Sequence, residues 1–148
     1  MKQLSIFYFL ATLMAFAQDR PNPEQTVQEF FQAFHKKDSV ALQHHFAKNA
    51  RLLRSGNQNG LPVVQENDIP RFIRAVSTRK DAPRWEERLG KPVVQQHQNL
   101  ATVWIPFQFY LDDQLSHCGY NSFTLGWNGN QWQILSLIDT ATKDCKWL

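Results

Sequence analysis

From residue 101 to residue 140 the chain reads ATVWIPFQFYLDDQLSHCGYNSFTLGWNGNQWQILSLIDT, with β-branched and aromatic residues alternating with polar ones. That is far more than one ordinary strand length, so the segment predicts three long antiparallel strands joined by tight turns at Asp112-Asp113 and Asn128-Gly129. A chain committed to such a meander must cover at least one face of it. The material to do so lies upstream.

Val27, Phe30, Phe31 and Phe34 fall at i, i+3, i+4 and i+7, one apolar stripe of a helix that Pro23 can open and that His35, Lys36 and Lys37 can close. Asp38 or Ser39 can cap a shorter second helix carrying Val40, Leu42 and Phe46. Residues 50–53 read as a short strand, and 55–60, SGNQNG, as a loop. A third helix is expected from Ile69, with Asp68 as its cap and Pro70 in its first turn. Trp85 to Leu89 and Val93 to His97 read as strands. Helices first and an antiparallel sheet after make the class α+β.

Residues 1–17 carry one charge at Lys2, an uncharged apolar run over 4–16 and the small-x-small ending Ala15, Phe16, Ala17. This predicts a secretory signal peptide cleaved after Ala17, the run being shorter than the roughly 20 residues of a membrane span. The remainder is expected to be secreted or periplasmic, with an extended leader over 18–23, one domain over 24–142 and a tail over 143–148. In an oxidising compartment Cys118 and Cys145 are candidates for a disulfide, the alternative being a buried free Cys118 and an unpaired tail thiol.

The formal net charge of +3 is spread without a run of one sign, which gives no footprint for nucleic acid. No membrane partner is expected after cleavage. The spacing holds no HExxH, CxxC, GxSxG or phosphate-cradling glycine loop, so neither a metal nor a cofactor is called for.

Two-residue turns would set Asn121 opposite Ser136 and His117 opposite Thr140, and likewise Gln108 opposite His117 and Trp104 opposite Asn121. One face would then collect Trp104, Gln108, Tyr110, His117, Asn121 and Ser136 as a pocket wall, with His117 as its acid, base or hydrogen-bond donor. Asp139 would fall with Cys118 on the opposite face, so an Asp/His dyad would need a bulge. Val103, Ile105, Phe107 and Phe109 form a purer apolar row on the strand's other face. Either a bulge shifts one register or a second subunit covers that row, and Pro106 favours an irregularity. Arg88 beside Glu86 and Glu87 could meet an acidic ligand or be an exposed strand charge.

The order of helices, short strand, helix and long sheet resembles the nuclear transport factor 2-like superfamily, which includes SnoaL-like polyketide cyclases and ketosteroid isomerases. The opening TVQEFFQAFHKKDSVALQHHFAKNARL carries part of the likeness. The runs WIPFQFY, SHCGYNSF and WQI, then IDT with a late cysteine, resemble an exported bacterial subgroup of unassigned reaction. The resemblance implies a cone-shaped fold whose interior holds a small apolar or mixed-polarity molecule. Three roles follow as expectations: a ligand-binding domain; an isomerase, dehydratase or cyclase using His117, with Asp139 or Tyr110 assisting; or a homodimeric accessory domain joined through the outer sheet face.

Overall fold

The computed structural model describes residues 20–146. The signal-peptide segment 1–17 lies outside the described residues. Three helices, α1 (Pro23–Lys36), α2 (Ser39–His45) and α3 (Ile69–Ser77), accompany seven strands. The strands are β1 (Phe46–Gln58), β2 (Leu61–Asn67), β3 (Trp85–Leu89), β4 (Val93–His97), β5 (Leu100–Leu111), β6 (Gln114–Trp127) and β7 (Trp132–Thr140). They form one curved sheet in the order β2-β1-β7-β6-β5-β3, with β4 also on β5. The class is α+β, as expected. The sheet is mixed, however, because β1 runs parallel to β7.

Each helix starts where a polar side chain replaces the missing backbone acceptor. Asn22 accepts from the Glu24 amide at 3.0 Å, Asp38 from Ala41 at 2.9 Å and Asp68 from Arg71 at 2.7 Å. The α1 stripe is buried as its spacing required, with Phe30 touching the rings of Phe31, Phe46, Phe72 and Phe123. Below it lie Val103, Ile105, Leu125, Trp132, Ile134 and Leu137.

The segment 55–60 is not a loop. Asn59 and Gly60 both take positive φ, 53° and 79°, the left-handed pair that a two-residue hairpin turn needs, so β1 runs on to Gln58 and returns as β2. Asn128-Gly129, the same dipeptide, behaves differently. The Asn128 side chain accepts from the amides of both Asn130 and Gln131 at 2.9 Å, which widens the connection and pairs Trp127 with Trp132.

Two one-residue bulges then set which face each side chain takes. Tyr110 pairs with Leu115 as a two-residue turn dictates, but Phe109 pairs with His117, leaving Ser116 as the extra residue. On the other hairpin Leu125 pairs with Ile134 while Thr124 pairs with Ser136, leaving Leu135 unpaired. Each extra residue exchanges the faces of everything beyond it. The row Val103, Ile105, Phe107 and Phe109 is consequently buried, and no second subunit is needed to cover it.

Pro106 sits where β5 changes its edge partner from β3 to β4. Its carbonyl accepts from the Gly90 amide at 2.8 Å in the gap between them, so its missing N–H faces a break in the ladder.

Cys118 and Cys145 are bonded, with Cα atoms 5.9 Å apart. Past β7 the chain crosses back to β6, where Thr142 exchanges two backbone hydrogen bonds with Cys118 at 2.9 and 2.8 Å. Two such bonds contribute about 1 kcal/mol each. Ordering the exposed segment 141–146 costs roughly 1–2 kcal/mol per residue, so the covalent link is what holds it.

The crossing also explains Gly119. A Cβ there would lie 1.9 Å from the Thr140 carbonyl oxygen, a backbone atom with no rotamer in which to retreat. Gly119→Ala is expected to cost about 2–3 kcal/mol in urea unfolding. Gly56→Ala, whose Cβ meets nothing within 4 Å, serves as control. Equal effects in the two variants would refute this account.

Candidate functional site

The side chains on the helix-facing side of the sheet are apolar along most of its length and turn polar toward one end. Glu87 on β3 pairs across the ladder with Phe109 on β5, and Phe109 with His117 on β6. Asn121, on the same face of β6, is opposite Asp139 on β7, which in turn is opposite Arg54 on β1. Five polar side chains from four strands therefore share one face: Glu87, His117, Asn121, Asp139 and Arg54. The rings of Phe107 and Phe109 border them.

Their contacts define two coupled pairs. The Asn121 amide donates to Glu87 Oε1 at 2.7 Å, and Asn121 is 3 % exposed. Arg54 holds Asp139 in a forked ion pair, Nε donating at 3.0 and 3.1 Å to its two oxygens and Nη2 donating to Oδ2. Glu87 thus receives a neutral donor where Asp139 receives a cation. Burial pushes the Glu87 carboxyl up from 4.5 to about 8, with the Asp139 charge adding to the effect and the Asn121 hydrogen bond and Arg54 opposing it. At neutral pH it is a carboxylic acid able to donate a proton.

His117 lies with its ring stacked on Phe109 at a centroid distance of 4.8 Å and edge-on to Phe107 at 5.9 Å. Ser116 Oγ is 3.2 Å from its Nδ1. Burial lowers the imidazole below the ordinary value, Arg54 lowers it further and Asp139 opposes both. The histidine is therefore neutral and basic where Glu87 is neutral and acidic. One further contact fixes the acid strand: the Glu87 backbone N–H donates to His35 Nε2 at the end of α1, 2.9 Å away. Burial lowers the pKa of His35 too, which keeps that nitrogen an acceptor.

Of the pocket wall expected from the sequence, the structure brings together His117 and Asn121 alone. Trp104, Gln108, Tyr110 and Ser136 project from the opposite, outer face, because the bulges at Ser116 and Leu135 displaced the registers on which that grouping rested. There Trp104 stacks on Tyr120 at 4.8 Å, and the Tyr110 hydroxyl donates to Gln108 Oε1 at 3.2 Å beneath the Arg88 guanidinium. Arg88 is itself paired with Glu86 and Asp113. Asp139 makes the reverse journey and shares the face of His117. Cys118 stays outside, tied to the tail.

Glu87 and Arg54 were absent from the expected site. Both carry a signal of period two: Glu87 lies between Trp85 and Leu89 on one face of β3, and Arg54 follows Leu52 on one face of β1. A charge inserted in an otherwise apolar row is the pattern to look for.

Among the described residues no group of His, Cys, Asp or Glu is arranged to hold a metal ion, and no helix is long and apolar enough to cross a membrane.

No sequence family model matches the chain, and no curated protein matches it either. Solved structures do. An NTF2-like protein of unknown function from Shewanella baltica superposes with a TM-score of 0.59 at 13% identity, over 80% of this chain and 90% of that one. A candidate ketosteroid isomerase from Parabacteroides distasonis gives 0.58 at 19% identity, over 82% and 89%. A candidate dehydratase of the NTF2-like family from Streptomyces avermitilis gives 0.60 at 12% identity, over 80% and 92%. This chain has the fold of the nuclear transport factor 2-like superfamily.

Proposed function

We propose that the polar end of the helix-facing sheet surface is a small-molecule site. Its ligand places an apolar body against Phe107 and Phe109 and a polar group among His117, Glu87 and Arg54. The observation that carries this reading is the convergence of five polar side chains from four strands at the border of an apolar core, the composition typical of ligand sites. The Cys118–Cys145 bond fits an oxidising compartment, consistent with a secreted or periplasmic domain.

A second reading is favoured by one specific feature. Glu87 and His117 are pushed in opposite directions by a shared environment, both neutral near pH 7, which is the arrangement that assigns an acid and a base. On that reading the domain is an isomerase, dehydratase or cyclase, with His117 taking a proton from the substrate and Glu87 supplying one. A homodimer through the outer face is the third proposal, and its residues would be the exposed Val93, Trp104 and Ile138 rather than the buried β5 row.

Native mass spectrometry of the protein recovered from its own host tests the first reading. A retained small molecule is expected, and its loss on combined His117→Ala and Arg54→Ala substitution would locate it. Retention unaffected by those changes would place the ligand elsewhere. Once that molecule is identified, His117→Ala separates binding from catalysis: a folded variant that binds the molecule but converts it about 10²–10⁴-fold more slowly supports the enzyme. Unchanged turnover would rule out His117 as its base.

A further inference from the structure

We infer that the C-terminal segment is a latch on this site, closed by the Cys118–Cys145 bond, so that the site is complete only in the oxidised chain. The inference concerns regulation of the site proposed above and rests on that reading for its functional meaning, while the latch is measurable with no ligand present.

The latch and the site are built from the same short stretches of chain. On β6, His117, Gly119 and Asn121 face the helices, and the intervening Cys118 faces out into the disulfide. The last paired residues of the β6/β7 ladder are Asn121 and Asp139, both in the site. Between that pair and the disulfide, β6 keeps its ladder to β5 on one edge, and its β7-facing edge is held by irregular contacts. The Tyr120 amide donates to Thr140 Oγ1 at 3.1 Å, and Thr142 bridges to Cys118. The Thr140 carbonyl packs where Gly119 lacks a side chain.

Among the described residues the tail brings no apolar side chain into the core, and the two backbone bonds of Thr142 do not offset the entropy of ordering it. Opening the bond therefore frees residues 141–146 and removes the Thr142 bridge from the β7-facing edge of β6 at Cys118, while β6 stays paired with β5 and β7 with β1. His117 is the site residue next to that edge, whereas Asp139 keeps its pairing with Asn121 and Arg54. Core residues such as Phe123 and Leu125, further along β6 and packed beneath the helices, do not depend on the tail.

The chemistry is thiol–disulfide exchange. A dithiol reductant attacks one sulfur and is oxidised to its own disulfide, delivering two electrons and two protons that leave Cys118 and Cys145 as thiols. Closure is the reverse, with a disulfide oxidant reduced to the dithiol. Cys118 is fully buried whereas Cys145 is partly exposed, so attack comes at the Cys145 sulfur.

The test compares the oxidised protein, the protein reduced by a phosphine, and Cys145→Ser by NMR. Reduction is expected to speed hydrogen exchange at the Cys118 and Thr142 amides, which bond to each other's carbonyls, at least about tenfold. Phe123 and Leu125 are expected to keep their protection. The His117 ring titration is expected to rise toward 6.5 as its surroundings open. Protection of Thr142 that survives reduction would show that the bond does not hold the tail. Release of Thr142 without change at His117 would show that the tail does not bear on the site. Reduction of the folded protein keeps the test decisive should Cys145→Ser fail to fold. None of these readouts involves a ligand, so failure of the small-molecule reading leaves them intact and shows itself separately, as absence of a retained molecule.

Discussion

Glu87→Gln is expected to stabilise the protein, and by an amount that grows with pH. In the folded chain the Glu87 carboxyl titrates at about 8 rather than 4.5, because it is buried against a neutral amide with a second carboxylate nearby. The folded state thus binds more protons than the unfolded state between those two values. The contribution of the neutral acid is fully present below pH 4.5 and is lost as pH rises through 8. Glutamine keeps an oxygen to accept from Asn121 and has nothing to ionise. Its advantage should be close to zero at pH 4, roughly 3 kcal/mol at pH 7 and largest above pH 8. Urea midpoints of both proteins across this range measure it. A gain of constant size at every pH would mean that packing, not ionisation, is responsible.

The histidines bound the other side of the same profile. His35, His45 and His117 are all held below 6.5, chiefly by burial, so the folded state prefers them neutral. Their contribution is intact above 6.5 and is lost as pH falls below it toward their folded values. In both proteins this acid limb should remain. The Glu87→Gln variant is expected to lose the alkaline one alone.

The second large effect belongs to the core. Phe30 is 1 % exposed, with ring centroids of Phe31, Phe46 and Phe123 at 5.1, 5.6 and 5.9 Å. Its neighbours come from α1, β1 and β6, so they cannot collapse together into a vacated space without moving whole elements. Phe30→Ala is expected to cost about 3–5 kcal/mol and to lower Tm by on the order of 10 °C or more. Equilibrium unfolding by guanidinium decides it. A loss below about 2 kcal/mol would mean that the helix layer repacks freely over the sheet.

Much of this architecture was legible one residue at a time. The α1 stripe, the caps Asp38 and Asp68, Pro70 in the first turn of α3 and the three long strands are all local statements, and local chemistry decides them. The Cys118–Cys145 bond was legible as a possibility, since it needed only two thiols and an oxidising destination. The site was less so. His117, Asn121 and Asp139 were singled out by type, but their grouping depended on register, and register is a sum of turn length and bulges. The dipeptide Asn-Gly occurs at 59–60 and at 128–129, yet the first forms a two-residue turn and the second a wider loop. What separates them is whether the asparagine side chain takes up neighbouring amides, which the dipeptide itself does not specify.

By itself, then, the sequence determined the three helices, every strand but β2, the α+β class and the residues able to do chemistry. Each of these follows from periodicity or from side-chain functional groups. Only the tertiary structure decided which of those residues meet. Ser116 and Leu135, a single residue out of register on each hairpin, sent Trp104, Gln108, Tyr110 and Ser136 outward and brought Asp139 in beside His117 and Asn121. Glu87 and Arg54 joined from strands distant in the chain. Side chains alternate with a period of two, so one inserted residue reverses a whole face. Where that residue is tolerated depends on what the core can bury.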